Sequence, residues 1–238
     1  MPPLLPAAVL WDMDGTLVDS EHYWIAEEFA LVESFGGQWS LDHAHELVGS
    51  ALLDSAAYII DHTPVTLTPE AVVDRLVAGV AGRLAQEVPW RAGARELLAE
   101  VGAAGVPSAL VTMSYAVLAR LLVDAAGPGL IHAVVSGDDV AHGKPHPEPY
   151  LRAAAALGAH PGDCIAIEDS FTGARSAVAA GVPTIVVPHI VSVPEWPGTV
   201  QVATLEGLTL DDLVDLTASL RSRDPRAQSS AGVGRPTT

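Results

Sequence analysis

Apolar residues recur along this chain in two rhythms, one of strands and one of helices. Pro6 to Trp11 is a short continuous apolar run, the pattern of a strand buried on both faces. Asp12 to Asp19 reads as the loop at its C-terminal end. From Ser20 the rhythm becomes helical: Trp24, Ile25, Phe29, Val32 and Phe35 recur at helical spacing, and Gly36-Gly37 stops them. Ser40 is placed to cap a second helix ending near Gly49. Leu52 to Ile60 reads as a third, closed by Pro64. Thr68-Pro69-Glu70 opens a fourth, with a capping hydroxyl and a proline in the first turn, and it runs to about Val88 before Pro89.

After Trp90 the two rhythms alternate. Ala94 to Val101 is helical and Val106 to Val111 is a strand. Ser114 is placed to cap a helix through Ala126, and Ile131 to Val135 is a strand. Pro147 to Leu157 is a helix, Cys164 to Ile167 a strand, and Phe171 to Ala180 a helix stopped by Gly181. Strands at Pro183 to Val187 and Val200 to Ala203 and a helix from Thr209 to Leu220 follow. Alternation of this kind predicts an α/β fold, a doubly wound parallel sheet. Residues 1–19 and 90–220 form its core, and residues 20–89 form an inserted small helical domain. Residues 221–238, rich in Arg, Ser, Gly and Pro, read as a disordered tail.

Composition narrows the partners. Hydrophobic residues make up 49% and charged residues 17%, which is a globular balance. A formal net charge of −17 argues against nucleic acid and anionic membrane surfaces. It leaves room for a small anion, because a local metal overrides the global field. No apolar run reaches the ~20 residues of a transmembrane helix, and the first residues lack the pattern of a signal peptide. The single cysteine, Cys164, fits a reducing compartment and a buried packing role. The expected location is cytoplasmic, and the expected state a monomer or weak dimer.

The polar residues at the strand ends carry the candidate chemistry. A doubly wound sheet gathers the loops at its C-terminal edge into one crevice. Those loops hold Asp12, Asp14, Thr112, Glu168 and Asp169, together with Lys144, the only lysine among 12 basic residues. Clustered carboxylates repel one another and a phosphate dianion, so a divalent cation is the natural further party. Hard oxygen ligands suit Mg²⁺. Asp12 is placed to attack phosphorus as a nucleophile. Asp14 can protonate the leaving oxygen and then deprotonate water. Thr112 can hold a phosphoryl oxygen, and Lys144 can neutralise the nucleophile and the phosphoryl charge. Asp169, helped by Glu168, holds the metal.

Asp12-Met13-Asp14-Gly15-Thr16-Leu17-Val18-Asp19-Ser20-Glu21 resembles motif I of the haloacid dehalogenase-like superfamily. Thr112 resembles motif II, Gly143-Lys144-Pro145-His146-Pro147-Glu148-Pro149-Tyr150 motif III, and Ile167-Glu168-Asp169-Ser170 with Thr172-Gly173 motif IV. All four stand in family order across residues 7 to 187. The helical block resembles the C1-type cap of the β-phosphoglucomutase-like phosphatases. The resemblance implies a Rossmann-like core, Mg²⁺ and a phosphoaspartate intermediate on Asp12. It also implies a metal site of Asp12, Asp169 and the backbone carbonyl of Asp14. The chain departs from the pattern at Met113, where many members have Asn, and at Trp11, which replaces a common Phe.

Within that superfamily Asp14 favours phosphoryl transfer over dehalogenation, and a helical block without lysine argues against Schiff-base cleavage of phosphonates. A sugar phosphomutase, the second reading, needs basic residues in the cap to hold a distal phosphate. Arg75 and Arg83 are the only ones between Ser20 and Trp90, histidines aside, and Leu52 stands where the mutase-like pattern has Arg. A phospho-acceptor receiver domain also combines paired Asp, Thr and Lys, but in a different order. The reading is a Mg²⁺-dependent phosphatase of a small phosphorylated metabolite such as a sugar phosphate. Simpler roles stand beside the chemical ones. Thr112 can be a strand-end hydroxyl, Asp169-Ser170 a helix cap, and Glu21 and His22 either substrate contacts or surface residues at the hinge. The nine histidines show no metal-ligand spacing.

Overall fold

The computed structural model describes residues 5–221, apart from the side chain of Arg221. The expected tail therefore lies, but for the backbone of Arg221, outside the described residues. Six strands form one all-parallel sheet: β1 (Ala8–Trp11), β2 (Ser108–Val111), β3 (Ala133–Val135), β4 (Cys164–Glu168), β5 (Thr184–Val186) and β6 (Thr199–Gln201). Their spatial order is β3-β2-β1-β4-β5-β6. The chain winds outward on one side of β1 and then returns to wind outward on the other. The switch point between β1 and β4 opens a crevice at their C-terminal ends, and Asp12 and Asp169 are the residues that follow those two strands.

The four helices between β1 and Trp90 are α1 (Glu21–Ser34), α2 (Leu41–Glu46), α3 (Leu52–His62) and α4 (Pro69–Leu84). The five that follow are α5 (Ala94–Ala103), α6 (Ala116–Ala126), α7 (Glu148–Ala156), α8 (Phe171–Ala179) and α9 (Leu210–Arg221). Side chains of β1 alternate between two cores. Val9 and Trp11 join the larger one, which continues into α1, α4, α5 and α6. Ala8 and Leu10 join the smaller one, with Tyr150 and Ala153 of α7. Trp11 is fully buried and its indole N–H donates to Ser108 Oγ at 3.0 Å, so the larger ring brings its own hydrogen-bond partner.

Element boundaries differ from the pattern where local chemistry intervenes. β2 and β5 begin after Pro107 and Pro183, which have no N–H to give the ladder. The helix begun at Pro69 ends at Leu84 rather than near Val88, and α2 ends at Glu46 rather than near Gly49. Ser114 does not cap α6. The cap position is Tyr115, without a side-chain bond, because the Ser114 hydroxyl is taken by Asp14. Thr68 and Ser170 cap α4 and α8 as expected. No helix among the described residues is long and apolar enough to cross a membrane.

Candidate active site

The crevice is lined by Asp12, Asp14, Thr112, Lys144 and Asp169 from the sheet edge, and by Glu21, Trp24 and Glu28 from α1. At its base Lys144 Nζ bonds Asp12 Oδ1 at 2.6 Å, Glu168 Oε1 at 2.7 Å and the Val111 carbonyl at 2.9 Å. All three donors of the ammonium are used. The Tyr150 hydroxyl donates to the same Glu168 oxygen at 2.6 Å, and Ser170 Oγ donates to the other at 3.2 Å. Glu168 is thus the buried bracket that holds Lys144 beside Asp12. Gly173 leaves it room, since a Cβ there would fall 1.9 Å from Glu168 Oε1.

Asp12, Glu168 and Asp169 bring carboxylate oxygens within 4.8 Å of one another, all three residues buried. Three carboxylates against one ammonium leave an excess of negative charge. Burial and the neighbouring Glu168 push the Asp12 pKa up to about 7, against the pull of Lys144. Burial, then Asp12 and Glu168, raise Asp169 well above the carboxylate range. Burial works to lower the Lys144 pKa, but Asp12 and Glu168 outweigh it and hold the ammonium above its ordinary range. Asp12 Oδ2 is buried and has no hydrogen-bond partner among the described residues. An orphaned anionic oxygen in an over-charged oxygen cluster is the environment a hard divalent cation satisfies. The donor set fits Mg²⁺.

Asp14 sits in a different field. Its Oδ1 accepts from the Ser20 hydroxyl at 2.5 Å and the Trp24 indole at 3.3 Å. Its Oδ2 accepts from Ser114 at 2.7 Å and Thr112 at 3.2 Å. The two carboxylates of the motif therefore differ: one is paired with a cation, the other with four neutral donors drawn from the helical block and from the end of β2. Gly15 connects them to Asp169. Its φ is +83°, and a Cβ would stand 2.0 Å from Asp169 Oδ2, so no other residue fits that turn. Arg91, at the return from the helical block, donates to the Gly15 carbonyl and to the Val187 carbonyl.

Of the residues singled out from sequence at the sheet edge, Asp12, Asp14, Thr112, Lys144 and Asp169 line this crevice, and Glu168 is fully buried behind it. Thr112 donates to Asp14 and accepts the Ser114 N–H at 2.9 Å. Glu21 is buried and lines the cleft, whereas the side chain of His22 is 55% exposed. Burial, with Asp14 and Asp12 beyond it, pushes the Glu21 pKa up to about 8. Met113 lines the cleft, and its sulfur accepts the Lys144 N–H at 3.2 Å. Ser20, Ser114, Tyr150, Glu28 and Trp39 were not singled out. Glu28 Oε2 accepts from the Trp39 indole at 3.1 Å, and burial lifts the Glu28 pKa to about 7 against that bond. His142, His146 and Glu148 also bring ligand-type atoms within 4.8 Å, although histidine spacing did not suggest it. There the Glu148 carboxylate accepts the Ala141 and His142 N–H groups at 3.0 Å, which accounts for its position.

A switch-point crevice with a buried ammonium among strand-end carboxylates suits chemistry on an anionic group. A family model of haloacid dehalogenase-like hydrolases matches residues 6–181. Protein CbbY of Cupriavidus necator is 32% identical over 197 residues, 76% of this chain and 78% of that protein. Hexitol phosphatase A of Escherichia coli is 31% identical over 192 residues, 75% of this chain and 81% of that protein. A crystal structure of a CbbY variant from Rhodobacter sphaeroides in complex with xylulose-(1,5)bisphosphate superposes with a TM-score of 0.80 at 26% identity. It covers 88% of this chain and 99% of that one. The chain belongs to the haloacid dehalogenase-like hydrolases and stands among their phosphomonoester hydrolases.

Proposed function

We propose that the protein is a Mg²⁺-dependent phosphatase of a small phosphomonoester, a sugar phosphate or similar metabolite, and that it works through a phosphoaspartate on Asp12. The observation that carries this reading is the asymmetry of the two motif carboxylates. Asp12 has one oxygen on Lys144 and one oxygen with no protein partner, whereas Asp14 is held apart by four neutral donors. A carboxylate oxygen of Asp12 attacks phosphorus and the bond to the leaving oxygen breaks. Asp14 exchanges its hydroxyl contacts for that leaving oxygen and gives it a proton. It then takes a proton from the water that hydrolyses the acyl phosphate.

Lys144 draws Asp12 toward its ionised form and aims it, and is the cation available to the equatorial phosphoryl oxygens where negative charge spreads. Thr112 and Ser114 are hydroxyl donors on the same side. Asp12, Asp169 and the carbonyl of Asp14 would hold Mg²⁺, which when bound neutralises the phosphoryl oxygens and lets the dianion approach the carboxylates. The helical block of residues 20–89 acts as a lid. Trp24 of α1 reaches Asp14, so closing the lid and setting the acid are one event.

Hydrolysis of p-nitrophenyl phosphate by the full chain tests the reading. Turnover in Mg²⁺ that EDTA abolishes is the expected result. Absence of turnover, or turnover indifferent to EDTA, would overturn it. A mutase reading is not favoured, because Lys144 is the one basic side chain lining the cleft among the described residues. Leu52 lines the cleft, and Arg83 is engaged with Glu27 at 2.7 Å on the outside.

A further inference from the structure

The cap end of the cleft contains a device that the phosphoryl chemistry does not use. Glu28, on α1, is 6% exposed and lines the cleft, yet no cation stands beside it among the described residues. Its Oε2 is held by the Trp39 indole. Trp39 is itself buried and stacked on His43 with ring centroids 4.7 Å apart, and Tyr58 meets its edge at 6.2 Å. The remaining oxygen, Oε1, has no hydrogen bond to any described residue. Glu21 lies two turns earlier on the same face of α1, lines the same cleft and is buried without a cation as well. Burying a carboxylate without a cation is costly, and fixing it with a locked tryptophan adds rigidity. Such departures from the ordinary rules of folding concentrate at ligand sites. The rest of the lining from the helical block carries Ile25, Leu47, Leu52 and Leu76, together with Ser50 and Ser55.

We propose that Glu28, held by Trp39 and supported by Glu21, is a specificity-determining residue for the leaving group. It accepts hydrogen bonds from the hydroxyls of a neutral polyol or sugar. It excludes substrates that carry a second phosphate or a carboxylate at that end. This rests on the phosphatase reading above and adds the charge of the substrate's distal half. A fixed acceptor rewards a hydroxyl and leaves an incoming anion both repelled and unpaired, which is discrimination by contact and by repulsion together.

The test is kcat/KM of the full chain in Mg²⁺ for three compounds of similar carbon skeleton: sorbitol 6-phosphate, 6-phosphogluconate and fructose 1,6-bisphosphate. p-Nitrophenyl phosphate serves as the general substrate. Sorbitol 6-phosphate is expected to exceed both others by roughly tenfold or more. Glu28→Gln keeps an oxygen for Trp39 and removes the charge, so it should narrow that ratio at least about fivefold. Trp39→Phe, which frees the carboxylate from its anchor, should narrow it too. Equal turnover of the anionic compounds by the unaltered protein would overturn the inference, as would a ratio unmoved by Glu28→Gln. If p-nitrophenyl phosphate is hydrolysed but sorbitol 6-phosphate is not preferred, this inference alone fails. If no phosphomonoester is hydrolysed, the phosphatase reading fails and takes this inference with it.

Discussion

Replacing Lys144 by Met removes the ammonium from a buried cluster of three carboxylates. In the intact site the ammonium stands 2.6 Å from Asp12 and 2.7 Å from Glu168. At an effective dielectric of about 20, each contact is worth roughly 6 kcal/mol of gross attraction. Desolvation of the buried ions cancels much of that, and breaking a buried pair by removing one partner costs about 3–5 kcal/mol net. For a chain of this size, 1 kcal/mol moves the melting temperature by roughly 2–4 °C, so the variant should melt about 6–20 °C lower at pH 8 without metal. The loss should shrink toward pH 5. The Asp12 carboxyl is already pushed up to about 7 with Lys144 in place, and without it goes higher. A folded-state pKa above the unfolded value of 3.8 makes stability fall as pH rises through the window between them, so acid relieves the variant. Mg²⁺ should restore part of the difference, because it supplies the missing positive charge. Phosphatase activity should fall by about 10²–10³-fold or more. Differential scanning fluorimetry across pH, with and without Mg²⁺, reads the first three effects. A variant that melts within about 2 °C of the parent at pH 8, or keeps a tenth of its activity, would refute the electrostatic account.

Gly15→Ala should weaken Mg²⁺ binding by about tenfold or more, read by titrating activity against Mg²⁺, because the added methyl displaces the Asp169 carboxylate and strains a left-handed turn. Glu28→Gln should stabilise the fold at pH 8 and much less at pH 5. The Glu28 pKa is raised from 4.5 to about 7, so ionisation of this buried acid costs stability that appears as pH climbs through that window and amounts to about 3 kcal/mol above it. Equal melting shifts at the two pH values would contradict this. Tyr150→Phe should cost about 1–2 kcal/mol by chemical denaturation, since Glu168 Oε1 loses a buried donor at 2.6 Å. Asp169→Ala should raise the Mg²⁺ concentration needed for half-maximal turnover, and an unchanged requirement would remove Asp169 from the metal set.

The features legible in the sequence are those whose partners are dictated by chain order. Proline and glycine punctuate the strands and helices, and a parallel sheet gathers the loops after its strands at one edge, so Asp12, Thr112, Lys144 and Asp169 group there from sequence alone. Residues whose partners lie across the fold were not legible. Ser114 stands where a helix cap is the ordinary role, and only the distant Asp14 claims its hydroxyl. Ser20 and Trp24 read as the start and the apolar stripe of α1, yet both donate to Asp14. Glu28 lies on α1 and Trp39 in the loop that follows it, so no single helix or strand period relates them. Tyr150 falls within the Lys144 motif but carries no reactive signature. Its role follows only from the burial of Glu168. Met113 breaks the motif chemically, and the structure gives it a packing role and a weak acceptor role against the Lys144 N–H.

The central claim is that Asp12 is the nucleophile. Steady-state hydrolysis of p-nitrophenyl phosphate in saturating Mg²⁺ by the parent and by Asp12→Asn tests it most directly, with melting curves to show that both chains fold. The account predicts a loss of ~10⁴-fold or more in kcat for a folded Asp12→Asn protein. Retention of kcat within about tenfold would contradict it and move the nucleophile elsewhere.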